Sequence, residues 1–240
     1  MNRGNIVLHD FTGVYRQMPE LLSVSTVCHD HRDLRGVHGY VDPEAGKGLQ
    51  RMMQYPGIHF LDSGNYHALS YLYAGLIRKP YQLVVYDHHT DMMFPAFGRI
   101  LSCGSWIGDL LLDDPFLQQV FLIGADAELI RETREQWRGT DAEKELARVV
   151  FADSVRDCTF SLPVYLSVDK DVVRKEDFSS DWNQGEMPAE TLLQEIRSLQ
   201  EVAALLGVDV CGEPVPADAD GIRRSEWLNL EIVRILSGNI

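Results

Sequence analysis

The segment Tyr86-Asp87-His88-His89-Thr90-Asp91 sets Asp, His and Asp at alternate positions directly after the apolar run Leu83-Val84-Val85. Alternate residues of an extended chain project to one side, so Asp87, His89 and Asp91 are expected to converge. Ionisable groups gathered in this way are costly to bury without a cation. Taken alone, the segment also fits a solvated polar turn. Val164-Tyr165-Leu166-Ser167-Val168-Asp169-Lys170-Asp171 repeats the arrangement and puts Asp169 and Asp171 on a shared side. A DxD after a strand is common by itself, but two such strand ends in one parallel sheet are far more specific. Five carboxylate and imidazole donors suit a hard-to-borderline divalent ion such as Mn²⁺ better than a thiolate-seeking one. Bridging carboxylates can hold two ions about 3.5–4 Å apart and activate a shared water. A third segment, Phe60-Leu61-Asp62-Ser63-Gly64-Asn65-Tyr66-His67, reads as a strand, a turn and a helix start that carries His67 to the same end of the sheet.

Elements able to position these groups recur along the chain. Short apolar runs predict strands at Asn5 to Leu8, Gly57 to Leu61, Gln82 to Tyr86, Val120 to Ile123, Val149 to Ala152, Val164 to Val168 and Val208 to Cys211. Several are continuously apolar, as buried parallel strands are. Helices are predicted between them at Gly46 to Gln54, Tyr66 to Ile77, Ser105 to Leu112, Ala127 to Arg138, Ala189 to Leu206 and Arg223 to Leu236, with Gly207 as a stop. This alternation is the pattern of an α/β fold with a parallel sheet. The irregular stretches Asp91 to Cys103, Arg174 to Glu186 and Glu213 to Gly221 follow directly on strands. Ligands of open α/β sheets bind in such loops, outside the carboxyl ends of the strands.

The 240 residues suffice for one substantial core, and a single domain over 1–240 is expected. Lys and Arg total 22 against 36 Asp and Glu, a formal charge of -14, and no basic cluster interrupts the acidic background. Nucleic acid and anionic membranes are therefore not expected partners, whereas a cationic small molecule or a metal ion suits the charge. The cysteines at 28, 103, 158 and 211 form no CxxC pair, which suggests neither a zinc ribbon nor a disulfide framework. The beginning, MNRGNIVLHDF, lacks the apolar run of a signal peptide, and no stretch approaches the ~20 apolar residues of a membrane span. A soluble, cytoplasmic protein is the expectation; a homo-oligomer stays open.

In this order, the three segments resemble the metal motifs of the arginase, agmatinase and formiminoglutamase (ureohydrolase) superfamily. That superfamily carries a Gly-Gly-Asp-His turn, Asp-x-His-x-Asp and Ser-x-Asp-x-Asp. The counterparts here are Ser63-Gly64-Asn65-Tyr66-His67, Asp87-His88-His89-Thr90-Asp91 and Ser167-Val168-Asp169-Lys170-Asp171, within a resemblance over about residues 57–215. The resemblance implies a three-layer α/β/α fold with a mainly parallel sheet and two divalent ions, with Mn²⁺ expected. It implies that His67, Asp87, Asp91 and Asp169 hold one ion and that His89, Asp91, Asp169 and Asp171 hold the other. Asp91 and Asp169 would then bridge and activate water, and the resulting hydroxide would attack a linear, non-peptide C–N bond of guanidine or amidine type.

Several positions depart from the family pattern. His67 lies one place later than the family histidine, whose strict position Tyr66 takes. The loop after Asp91 contains no histidine to act as the arginase proton shuttle, and it is apolar (Met92-Met93-Phe94-Pro95-Ala96-Phe97) where arginases grip the amino-acid end of arginine. L-arginine is therefore not the expected substrate. The family's substrate-pairing Glu falls on Gly212, with Glu213 one place beyond. Glu213, Trp106 and Trp182 are the candidate substrate contacts, with Gln184 and Glu186 further candidates at the entrance; packing or capping is the alternative for the tryptophans and the loop residues. His88, beside His89, should point away from the metals. Two rival functions stay open: a metal-dependent deacetylase of acylated amines, and a metal-binding regulatory protein with impaired catalysis.

Overall fold

The central strands are made of residues buried on both faces, and the sheet is parallel throughout. A computed structural model describes residues 5–53, 55–94, 100–216 and 218–237. Its strands are β1 (Asn5–Asp10), β2 (Val27–Asp30), β3 (Gly57–Phe60), β4 (Tyr81–Tyr86), β5 (Leu117–Ile123), β6 (Val149–Ala152), β7 (Val164–Asp169) and β8 (Leu205–Cys211). They form an 8-stranded sheet in the order β2-β1-β3-β8-β7-β4-β5-β6. β3, β4 and β7 are buried at every position. Such strands need helices on both sides.

Those helices are α1 (Pro19–Val24), α2 (Pro43–Gln50), α3 (Leu69–Ala74), α4 (Trp106–Asp113), α5 (Ala127–Trp137), α6 (Ala189–Val202) and α7 (Ala219–Leu236). Strand alternation divides the core in two. Val84, Tyr86, Leu166, Val168 and Val210 pack with Leu21, Leu192, Ile196 and Ile232 of α1, α6 and α7 on one face. Leu83, Val85, Tyr165 and Cys211 pack with Leu49, Leu72, Ile107 and Trp137 of α2 to α5 on the other. The result is the three-layer α/β/α architecture. Among the described residues, no helix is long and apolar enough to cross a membrane.

β4 and β7 are neighbours, paired with Val85 opposite Ser167 and Tyr86 opposite Val168. Their carboxyl ends, which carry Asp87 and Asp169, therefore lie side by side. β8 flanks β7 with Cys211 opposite Asp169. The expected helix at Tyr66 to Ile77 is instead a 3-10 turn at Gly64–Tyr66 followed by the short α3, with His67 between the two. The expected helix at Ala189 to Leu206 ends at Val202, and Gly207 lies inside β8 rather than stopping a helix. The predicted helix end Gln54 and the loop residues Pro95, Ala96 and Phe97 lie outside the described residues.

Candidate metal centre

β4 leaves the sheet at Tyr86, and the chain bends at His88 and His89. Asp91 then takes a left-handed backbone (φ 48), which Asp tolerates better than most residues. Its carbonyl accepts the N–H of Ile107 at 3.0 Å, at the start of α4, so helix and loop fix each other. Thr90 bonds Thr133 of α5 at 2.7 Å. Asp87, His89 and Asp91 do face a common region, but through a bend and a left-handed turn rather than through strand alternation.

His67 Nδ1 lies 3.3 Å from Asp87 Oδ2, 3.0 Å from Asp91 Oδ2 and 3.5 Å from Asp169 Oδ2. His89 Nδ1 lies 2.9 Å from Asp171 Oδ2 and 3.5 Å from Asp87 Oδ1. Three donor groups result: His67 with Asp87 and Asp91, His67 with Asp169 and Cys211, and His89 with Asp87 and Asp171. Asp87 is the carboxylate common to the first and the last of these, whereas the family resemblance implied Asp91 and Asp169 as the bridges. Asp91 Oδ2 instead accepts the indole N–H of Trp106 at 2.7 Å, on the His67 side alone. Asp169 stands between the groups in another way, accepting the Asp171 N–H at 3.0 Å with one oxygen and facing His67 with the other.

Asp87, Asp91, Asp169 and Asp171 are all buried. Protonating both imidazoles would still leave two negative charges uncompensated, and Lys170, between two of the aspartates, points the other way. Burial raises Asp91 to about 6 and Asp171 well above the carboxylate range. Burial lowers both imidazoles, but their acidic neighbours outweigh it: His89 is raised to about 11 by Asp171 and Asp87, and His67 is raised well above its usual value with Cys211, Asp87 and Asp91 beside it. Asp87 Oδ2 is a buried oxygen with no hydrogen-bond donor among the described residues. A cluster with these features has the chemistry of a cation site.

Supporting residues fix the ligands. His67 Nε2 lies 2.9 Å from Ser167 Oγ, and the Ser167 hydroxyl donates to Asp209 Oδ1 at 2.5 Å. Because Ser167 spends its proton on Asp209, its oxygen accepts the Nε2–H and leaves Nδ1 free as a donor atom for a cation. The signals for both residues are in the sequence. Ser167 shares strand alternation with Asp169, and Asp209 is an acid inside the apolar run of β8. The motifs did not assign them a role.

The cavity over the cluster has a volume of about 180 Å³. Its wall includes Met93, Cys103, Leu129, Glu132, Gln136 and Trp182. Trp182 is thus at the mouth, its ring edge-on to His89 at 5.7 Å. Trp106 is fully buried and braces Asp91 instead of meeting a substrate. Glu213 is also not a substrate contact: it is fully buried, 2.7 Å from Lys170 Nζ, and bonded to Ser225 and Asn229 of α7. The displacement follows from Lys170, which opens the 3-10 turn after β7, points away from the cluster and is met by an anion on that side. Gly212 cannot be replaced by the family's Glu either, because its φ is +88 and a Cβ would stand 2.4 Å from Asp169 Oδ1. Gln184 ties its own loop through Val173 O and Phe178 O, Glu186 is exposed, and His88 gives its backbone N–H to Asp171 Oδ1.

No family model matches the chain. An uncharacterized protein of Thermotoga maritima is 29% identical over 237 residues, covering 97% of this chain and 89% of the relative. Among solved structures, the formimidoylglutamase of Bacillus subtilis superposes with a TM-score of 0.67 at 10% identity, covering 99% of this chain and 88% of that one. The proclavaminate amidino hydrolase of Streptomyces clavuligerus gives 0.65 at 14% identity, with 99% and 93% covered. The agmatine ureohydrolase of Thermoplasma volcanium gives 0.63 at 13% identity, with 97% and 90% covered.

Proposed function

We propose that this chain, which has the fold of the arginase-type ureohydrolases, is a dinuclear-metal hydrolase cleaving a linear, non-peptide C–N bond of amidine or guanidine type, in a substrate other than L-arginine. The observation that carries the reading is the convergence of four buried carboxylates and two imidazoles beneath a cavity at the carboxyl ends of β4 and β7. His67, Asp87, Asp91 and Asp169 would hold one ion and His89, Asp87, Asp169 and Asp171 the other. Bound divalent ions would supply an activated water as nucleophile at neutral pH. Oxygen-rich donors favour Mn²⁺ as the ion loaded at the centre.

The protein's own part is to orient and to select. Ser167 and Asp209 set the His67 tautomer, Trp106 fixes Asp91, and the indole of Trp182 stands edge-on against His89. Where the family places its substrate-pairing Glu, Gly212 offers no side chain, so a cationic substrate would meet Glu132 and Gln136 at the cavity wall. Met93 and Leu129 offer no hydrogen bonds to an α-amino acid end. Each polar group left unmatched costs on the order of 1–3 kcal/mol.

The test is elemental analysis of Mn²⁺-loaded protein, followed by turnover of a panel of formimino, amidino, guanidino and N-acylated amine compounds. The expected result is about two ions per chain and hydrolysis of an amidine or guanidine other than L-arginine. One ion with turnover confined to acylated amines favours the deacetylase; ions without turnover favour the regulatory protein. Arginine hydrolysis with kcat/KM above about 10⁴ M⁻¹s⁻¹ would contradict the substrate reading.

A further inference from the structure

A thiol stands against the carboxylates on the His67 side. Cys211 closes β8, is fully buried, and lies with its Sγ 3.1 Å from Asp169 Oδ2. The ligand atoms of Cys211, His67 and Asp169 all lie within 4.8 Å of one another. The next residue, Gly212, brings the β8 backbone so near that an added Cβ would meet Asp169 Oδ1 at 2.4 Å and Lys170 N at 2.8 Å. Independently of the sulfur, Asp87 Oδ2 faces the same imidazole at 3.3 Å and accepts no hydrogen bond among the described residues. Across the cluster, the group of Asp87, His89 and Asp171 offers only oxygen and nitrogen.

We propose that Cys211 is a ligand of the ion held by His67, so that this position selects a thiophilic ion such as Zn²⁺ while the His89 position keeps an oxygen and nitrogen shell. The inference rests on the dinuclear reading above. Sγ to Asp169 Oδ2 at 3.1 Å and His67 Nδ1 to Asp169 Oδ2 at 3.5 Å are donor separations that one coordination shell spans, given bond lengths of about 2.0–2.3 Å. On binding, the S–H bond breaks, the sulfur lone pair goes to the ion and the proton leaves to solvent, with no change of oxidation state. Thiolate is a softer donor than carboxylate and favours Zn²⁺ over Mn²⁺. The two positions would then differ in metal preference within one chain.

The full-length protein is loaded with Co²⁺, and near-ultraviolet thiolate-to-cobalt absorption is recorded for the native chain, Cys211→Ser and Cys103→Ser. Cys103 is the control because it also lines the cavity. The expected result is a band in the native chain and in Cys103→Ser that is lost in Cys211→Ser. X-ray absorption of the Zn²⁺-loaded native protein needs no variant and should show a sulfur neighbour at about 2.3 Å. Bound ions with no band and no sulfur shell, or a band that persists in Cys211→Ser, would overturn the proposal and leave the dinuclear reading standing. Protein that retains neither Co²⁺ nor Zn²⁺ by elemental analysis would overturn both.

Discussion

Asp87 reaches both imidazoles, Oδ2 toward His67 at 3.3 Å and Oδ1 toward His89 at 3.5 Å, whereas Asp91 meets only His67. Asp87→Ala is therefore expected to lose both ions and Asp91→Ala to keep the one beside His89, as read by metal content after dialysis. Equal retention in the two variants would count against Asp87 as the bridge. The imidazoles also set a pH dependence. His89 is raised from 6.5 to about 11, and His67 is raised as well. Each must be neutral at its donor nitrogen to bind an ion, so ions displace protons and affinity falls as pH falls. Apparent affinity should keep rising with pH above 6.5, measured by competition with a calibrated chelator; a plateau at the ordinary histidine value would contradict the coupling. Residue types and spacing were enough to point to five of the six side chains that the structure brings together, because acids and histidines after apolar runs are costly unless they meet a cation, while His67 joined the set through the family resemblance. The sharing of Asp87 was not legible, since it depends on the bend at His88 and the left-handed turn at Asp91. The indole bond to Asp91 likewise depends on where α4 starts, which spacing cannot give.

Lys170 and Glu213 join the ends of β7 and β8 to α7 through one buried ion pair, with Ser225 and Asn229 of that helix completing the lysine's hydrogen bonds. Lys170→Met keeps the volume but leaves Glu213 buried without its partner. Removing one member of such a pair costs about 3–5 kcal/mol. Urea unfolding of the metal-free protein should show that loss, and a variant within ~1 kcal/mol of the native chain would mean the ion pair contributes little to holding β7, β8 and α7 together. The same elements mark how far the fold could be read. All strands between β3 and β8 were legible because continuously apolar runs bounded by polar loops have few other solutions. β2 was not, since Val27-Cys28-His29-Asp30 is short, half-exposed and mostly polar, at the edge of the sheet. The amphipathic run of α6 continues into Leu205 and Leu206, where helical and strand patterns coincide; the strand prevails because β7 offers parallel pairing there. Glu213 read as a substrate contact because a loop acid beside a metal motif carries no sign of which side of the strand it serves.

At the scale of the whole molecule, the charge of -14 and the buried carboxylates make different claims about what bound cations do. A cation bound loosely to the acidic surface would stabilise the chain by relieving general repulsion, and salt would do the same. A cation in the cluster relieves repulsion among four carboxylates that are almost wholly buried at the floor of the cavity. An ion present at about 100 times its dissociation constant stabilises by about 2.7 kcal/mol. For a chain of 240 residues, each kcal/mol corresponds to about 2–4 °C in Tm. Chelation is therefore expected to lower Tm by roughly 5–11 °C for each ion bound at that excess. In 1 M salt the Debye length falls to about 3 Å, which screens the surface but leaves buried groups largely unscreened. Differential scanning fluorimetry with and without chelator, at low salt and at about 1 M, distinguishes the two cases. A chelator shift that survives high salt is the expected outcome; one that vanishes there would move the stabilising cations from the cluster to the surface.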